Sequence, residues 1–278
     1  MKSKCKTVQI KYEDLKFPNP IYKYRDWGDK FHKSIIQDLQ VYLSPASGFE
    51  DPFDCKNPTR YDLLKRDEIK KRHAELSKES NEGLSRIQRR KNASDFASSN
   101  PFKNKEYLKK LEGESFNEFD STVGILSLTA NPSNFEMWKK YSNNHKGFCI
   151  GFESKILFKF VGGGDVVKYR NELPKIMPYP RMCFEEQMLT QIFNKLDNWN
   201  FEEEYRAFRW SQIPYTRETR TKTLPSIAYK EIIFGSLMTE ENINEIIKIA
   251  RINIPHVEFK KSVIAENGLD ISIIDFPI

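Results

Sequence analysis

Apolar residues along this 278-residue chain fall mostly in short alternating runs, with a few stretches of helical spacing between them. In "NPIYKYRDW" (19–27), Ile21, Tyr22 and Tyr24 suit a short strand, since aromatic and β-branched side chains pack well on a pleated surface. "KFHKSIIQDLQVYLSP" (30–45) reads as a short helix and then a strand, and "SGFEDPFDC" (47–55) as a loop punctuated by Gly48 and Pro52. In "STVGILSLT", Val123, Ile125 and Ser127 alternate with Gly124, Leu126 and Leu128, the pattern of a central strand. Ser133 and Glu136 form a capping box that opens a short helix through Met137, Trp138 and Tyr141. "FCIGF" is another buried strand, with Phe148, Ile150 and Phe152 on one face.

The second half continues the pattern. The glycine triplet in "FVGGGDVVKYRNELP" (160–174) reads as a turn before a strand around Val166 to Tyr169. It lacks the G-x-G-x-x-G spacing of a dinucleotide fingerprint. Phe184, Met188, Ile192, Phe193 and Leu196 recur at helical spacing. "AYKEIIFGS" (228–236) is a strand ending at Gly235. Thr239 caps a last helix whose buried face is Ile243, Ile246, Ile247 and Ala250, and "HVEFKKSVI" is a terminal strand. There is no βαβ rhythm and no internal repeat. The expected architecture is α+β with a mixed or antiparallel sheet, one domain over residues 1–278.

Residues of about 60–115 break this pattern. They are charged and helix-forming with a thin apolar stripe, so they read as a helical insertion of two or three exposed helices. Two roles stay open for it, a lid or side arm and a solvated insertion. Net charge is +6, and Arg60 to Asn92 holds eleven Lys/Arg against six Asp/Glu, so the rest is close to neutral. That excludes a generally basic nucleic-acid surface and leaves a local basic arm suited to an acidic target.

Apolar content of 38% fits a globular chain, and no apolar run approaches the roughly 20 residues a membrane helix needs. The start "MKSKCKTVQIKYED" lacks a secretory stretch, so a cytoplasmic protein without a membrane partner is expected. Cys5, Cys55, Cys149 and Cys183 form no CxxC pair and have no histidine at ligand spacing. Buried thiols and no metal are the expectation.

The candidate chemistry lies in "NWNFEEEYRAFRW" (198–210). Read as a strand from near Phe201, it points Glu202 and Glu204 to one face and Glu203 to the other. Two carboxylates so placed repel, and one pKa should rise. Read as a helix, it gives only a Glu202–Arg206 surface pair worth about 0.3 kcal/mol. The helix that ends just before it and the aromatic "YRAFRW" favour the strand. Glu204 is the first candidate for a catalytic role, and an ion pair with Arg206 or Arg209 is the structural alternative.

"YKYR", "DPFD", "GILSLT", "MWKKYSNNHKGFCIGF", "WNFEEEYR" and "EIIFG", in that order, resemble the bacterial domain-of-unknown-function family twenty-nine seventy-one, over roughly residues 20 to 265. An early Tyr-Arg strand, a central Ser-bearing strand and a late Glu-x-Glu strand are also similar to the ADP-ribosyltransferase fold of the diphtheria- and cholera-toxin type. That second resemblance implies an enzyme that consumes NAD, by hydrolysis or by transfer to a protein or nucleic acid. Arg25 would hold NAD phosphate or ribose, Ser127 would shape the nicotinamide pocket, and Glu204, with Glu202 upstream, would engage the ribose at the breaking bond. Tyr24, Trp138 and Tyr141 are candidates to stack on the rings, and His145 is a candidate base in the same pocket. Each has a plainer reading: Arg25 as a strand-end arginine, Ser127 as a core hydroxyl, Trp138 and Tyr141 as core packing, and His145 as a turn cap. The resemblance suits a bacterial toxin or phage-defence effector with a regulatory or immunity partner. Two rivals stay open: a non-catalytic nucleotide- or partner-binding module, and a nuclease holding Mg²⁺ on Asp51, Asp54, Glu202 and Glu204.

Overall fold

The computed structural model describes residues 16–80 and 83–277. Its strands are β1 (Ile21–Arg25), β2 (Gln40–Tyr42), β3 (Val123–Thr129), β4 (Phe148–Phe152), β5 (Gly164–Val166), β6 (Lys168–Arg170), β7 (Asn194–Leu196), β8 (Glu204–Trp210), β9 (Thr221–Thr223), β10 (Tyr229–Phe234), β11 (Glu258–Ile264) and β12 (Ile271–Asp275). The helices are α1 (Lys30–Gln37), α2 (Arg66–Ser80), α3 (Arg86–Ser99), α4 (Lys105–Thr122), α5 (Phe135–Tyr141), α6 (Ser154–Val161), α7 (Phe184–Ile192), α8 (Arg217–Arg220) and α9 (Glu240–Asn253).

Eight strands form one sheet in the order β12-β11-β10-β4-β1-β3-β8-β5, and β2-β9 and β6-β7 pair separately. Within the large sheet only β10 and β11 run parallel, so the α+β expectation with a mixed, mostly antiparallel sheet holds. One sheet face buries Ile21, Phe148, Ile150, Phe152, Leu126 and Ala207 against apolar residues of α1, α6 and α9. On the other face Tyr22, Tyr24 and Cys149 pack under Met137 and Trp138 of α5.

The centre of the sheet is unevenly joined. β1 lies against β4 along its whole length, but meets β3 at one paired register, Tyr22 with Thr129. Farther along, Ser44 takes over the edge of β3, exchanging both backbone hydrogen bonds with Ile125 at 2.8 and 2.9 Å. Lys23 fills the start of the gap and donates from Nζ to the Ser127 carbonyl at 2.6 Å. The wedge between β1 and β3 is the mouth of a cleft.

The insertion consists of α2, α3 and α4, with α2 and α3 packed side by side. It is less thinly packed than its sequence indicates. Tyr61, Leu64, Ile69, Ala97 and Phe102 make a small core of their own, joined by Phe96, Tyr107, Leu108 and Leu111. α4 runs directly into β3, and Arg220 donates to its last carbonyls, Asp120 and Ser121, and to Val123.

Several boundaries differ from the sequence pattern. β8 starts at Glu204 rather than near Phe201, because Asp197–Glu202 form a 3-10 turn and Glu203 takes a left-handed conformation (φ 46°). α5 is capped by Asn134, whose side-chain oxygen accepts from the Met137 amide, and not by Ser133. The helix from Phe184 stops at Ile192, and residues expected to continue it become β7, paired in parallel with β6. The strand expected around 166–169 is two short strands broken at Val167, while α6 and β12 are not predicted by the sequence pattern. Cys55 and Cys149 are buried free thiols, but Cys183 is disulfide-bonded, against the expectation of thiols throughout. No helix of the described residues is long and apolar enough to cross a membrane.

Candidate functional site

The left-handed turn at Glu203 decides the geometry of the Glu-rich stretch. It swings Glu203 outward, where its carboxylate accepts from the Asn131 side chain. Glu202 and Glu204 are left on the same side, and both reach Lys195: its Nζ donates to Glu202 Oε2 at 2.5 Å and to Glu204 Oε2 at 3.3 Å. Two residues along β8, Arg206 donates to Glu204 through Nε and Nη2, at 2.8 and 2.9 Å, and to both Asp54 oxygens, at 2.9 and 2.6 Å. Its remaining capacity goes to the Ile192 carbonyl and to Cys55. Glu204 and Arg206 are 2% and 0% exposed. The ion pair with Arg206 foreseen for Glu204 is therefore present, inside the protein rather than on its surface.

Three carboxylates (Asp54, Glu202, Glu204) share two cations (Lys195, Arg206), which leaves a surplus of negative charge. Burial and the neighbouring Glu204 push the Glu202 carboxyl above the usual carboxylate range. Burial also acts against ionised Glu204, but Arg206 and Lys195 outweigh it and hold this carboxyl down at about 2. The expectation that one of two same-side carboxylates rises is met at Glu202. Tyr141 donates to Glu202 Oε1 at 2.5 Å, and Tyr169 accepts from the Glu204 amide at 2.9 Å.

This cluster forms one end of a cleft of about 1130 Å³. Arg25 and Lys23 line the same cleft, with Asp29 close enough to act on Arg25. Arg25 leaves the end of β1 half-buried, and its guanidinium makes a single long hydrogen bond, 3.4 Å, to the Tyr24 carbonyl. Burial lowers Arg25 to about 10, so it stays charged. Burial, with Arg25 alongside, drives the Lys23 amine well below the usual lysine range. The same two causes lower His32 to about 4.

The structure brings together most of the residues singled out above. Arg25, Tyr24, Ser127, Tyr141, Glu202 and Glu204 all line the cleft, although by strand alternation Arg25 and Glu204 leave opposite faces of the sheet. They share one hollow because β1 and β3 part between them. Tyr24 contributes little open surface; its ring packs edge-on against Trp138 and its hydroxyl donates to the Asn131 carbonyl. Trp138 and His145 do not line the cleft. Trp138 is fully buried with its indole N–H on the Pro132 carbonyl, and His145 lies between Phe135 and Trp138 in a left-handed turn. Lys195, Lys23 and His32 were not singled out by sequence reasoning. Lys195 had a usable signal, a lysine set between Phe193 and Leu196 shortly before the three glutamates Glu202, Glu203 and Glu204.

Residues 137–207 match the model of a family described as "Protein of unknown function (DUF2971)". That segment runs from α5 into β8 and contains Tyr141, Lys195, Glu202, Glu204 and Arg206, the whole charged cluster except Asp54. No curated protein and no solved structure matches the chain.

Proposed function

We propose that the cleft binds NAD and breaks its bond between ribose and nicotinamide, passing ADP-ribose to water or to a macromolecular acceptor. The observation that supports this reading is the polarity of the cleft. Arg25, a guanidinium that makes no ion pair and feels only the nearby charge of Asp29, lines it together with a buried cluster of three carboxylates on two cations. A pyrophosphate suits the first, since Arg binds phosphate oxygens in a planar fork. A ribose that becomes positively charged as the bond breaks suits the second. The likeness to the ADP-ribosyltransferase fold belongs to this proposal and rests on the strand order and residues given under Sequence analysis.

In this reading the electron pair of the glycosidic bond leaves with nicotinamide and neutralises its ring. The oxocarbenium-like ribose is then attacked by a water or acceptor oxygen or nitrogen, whose proton passes to solvent. Glu204 acts in place: both its oxygens are committed to Arg206 and Lys195, so it supplies fixed charge rather than a mobile base. Glu202, bound by Tyr141 and Lys195 and with its pKa raised, is the carboxyl suited to meet a ribose hydroxyl. The metal-nuclease alternative finds less support, because Asp54 and Glu204 already spend their oxygens on Arg206.

Incubation with NAD tests the proposal. Nicotinamide release is expected, and Arg25→Gln should reduce it about 100-fold or more without unfolding the protein, because the Arg25 guanidinium makes a single long hydrogen bond and no ion pair. Binding without release would leave a nucleotide-binding module, and absence of both would end the NAD reading.

A further inference from the structure

Among the described residues, nine side-chain atoms are buried without a hydrogen-bond partner, and of the residues that carry them only Asp51 lines the cleft. Asp51 is 5% exposed. Its Oδ1 accepts from the Phe53 amide at 2.9 Å, but Oδ2 has no partner. A buried acceptor left bare is destabilising, so its place on a cleft wall calls for a donor arriving with a ligand.

The wall that carries it is firmly held. Asp54 closes the turn by donating its amide to the Asp51 carbonyl, and its own carboxylate is gripped by Arg206. Phe49 lies on the Arg206 guanidinium, 5.2 Å from it. Ser47 is tied to Asp120 through both its amide and its hydroxyl, and Glu50 pairs with Lys140 at 2.8 Å. The Asp51 carboxyl is thus fixed before any ligand enters, which is the condition for a recognition element.

We infer that Asp51 is a specificity-determining residue that accepts the carboxamide N–H of nicotinamide and sets the preference for the amide over the corresponding acid; this rests on the NAD reading above. Arg25 takes the pyrophosphate and the two glutamates take the ribose, so the leaving ring falls toward the wall of residues 48–54. The ring is a pyridinium and suits the surplus negative charge there. Its one hydrogen-bond donor is the carboxamide. Nicotinic acid adenine dinucleotide carries a carboxylate at that position. It would offer Asp51 no donor and would set two acidic groups against each other.

The test compares kcat/KM for NAD and for nicotinic acid adenine dinucleotide, reading release of nicotinamide and nicotinic acid by chromatography. The wild-type protein should prefer NAD by at least about 10-fold, as a site built to bind an N–H donor rejects an analogue without one. Asp51→Asn keeps an oxygen for the Phe53 amide and places a donor at the second position, so the preference should fall toward one or reverse. Asp51→Ser is the second variant, with an oxygen for the turn and nothing facing the ligand, and should also flatten the preference. Consumption of NAD with an unchanged preference in both variants would overturn the role of Asp51 and leave the NAD reading standing. Consumption of neither dinucleotide by the wild-type protein would overturn both.

Discussion

Arg206 and Glu204, two residues apart on β8, meet through two parallel hydrogen bonds, Nε to Oε1 at 2.8 Å and Nη2 to Oε2 at 2.9 Å. Strand alternation puts both on one face, and the left-handed turn before them sets where that face begins. The same guanidinium holds Asp54 from a loop far away in sequence. One side chain therefore fixes two walls of the cleft.

Arg206→Lys should cost about 3–5 kcal/mol of stability, since a point ammonium cannot make both forks and leaves buried carboxylate oxygens bare. Arg25→Lys should cost less than about 1 kcal/mol, because Arg25 makes one weak hydrogen bond to backbone. Urea unfolding of the two variants measures the contrast. Equal losses would mean that Arg25 is as structural as Arg206.

Acid sensitivity follows from Glu204. Its carboxyl titrates near 2 in the folded protein against 4.5 as its ordinary value. Between those pH values the unfolded chain binds a proton there that the folded chain does not, so stability rises with pH across this window. The contribution, on the order of 3 kcal/mol, is present above about pH 4.5 and is lost as pH falls toward 2. Glu202 is raised and works in the opposite sense at higher pH. Denaturant titrations from pH 2 to 5 should show a steeper rise for the wild-type protein than for Glu204→Gln.

His32 reports on anion binding. In the free protein burial and Arg25 hold it neutral, with a pKa of about 4. Pyrophosphate seated on Arg25 offsets that positive field, so the His32 pKa should move up. An imidazole titration followed by NMR, with and without pyrophosphate, reads this directly, and an unmoved His32 would place the anion elsewhere.

Tyr141→Phe removes the donor from Glu202 Oε1 and leaves a buried carboxyl oxygen unpaired. A loss of about 1–3 kcal/mol is expected, measured by thermal or urea unfolding. Nicotinamide release should fall as well, because Glu202 loses one of the two contacts that aim it.

Gly147→Ala tests the support of Arg25. A Cβ at this position would lie 2.1 Å from the Arg25 carbonyl and 2.9 Å from the Ser142 carbonyl, both backbone atoms that cannot swing aside. A destabilisation of about 1–3 kcal/mol or more is expected, with weakened anion binding alongside it. Calorimetry and a pyrophosphate titration measure the two effects.

Much of the fold was legible where one periodicity dominates. Phe148, Ile150 and Phe152 alternate cleanly, and the last helix shows both its cap at Thr239 and its buried stripe. The pattern misled where apolar spacing ran across a change of element: Phe193 and Leu196 continue the stripe of α7, but the backbone has already turned into β7. A continuous strand predicts Glu202 and Glu204 on one side. They do share a side, by way of a 3-10 turn and one left-handed residue. Partners distant in sequence stayed hidden. Nothing local ties Asp54 to Arg206, 152 positions away, or sets Lys23 beside the Ser127 carbonyl. Trp138 and His145 carry the same residue types as ring-binding and base groups, and only burial shows that they prop α5 instead.

The lone register between Tyr22 and Thr129 makes the sheet two rafts moored at one point. A molecule held at one end by Arg25 and at the other by the carboxylates of β8 would act as a second mooring line. Amides along the parted edges of β1 and β3 should then exchange with deuterium more slowly once that molecule is aboard, while those in the fully paired run between β3 and β8 keep their pace.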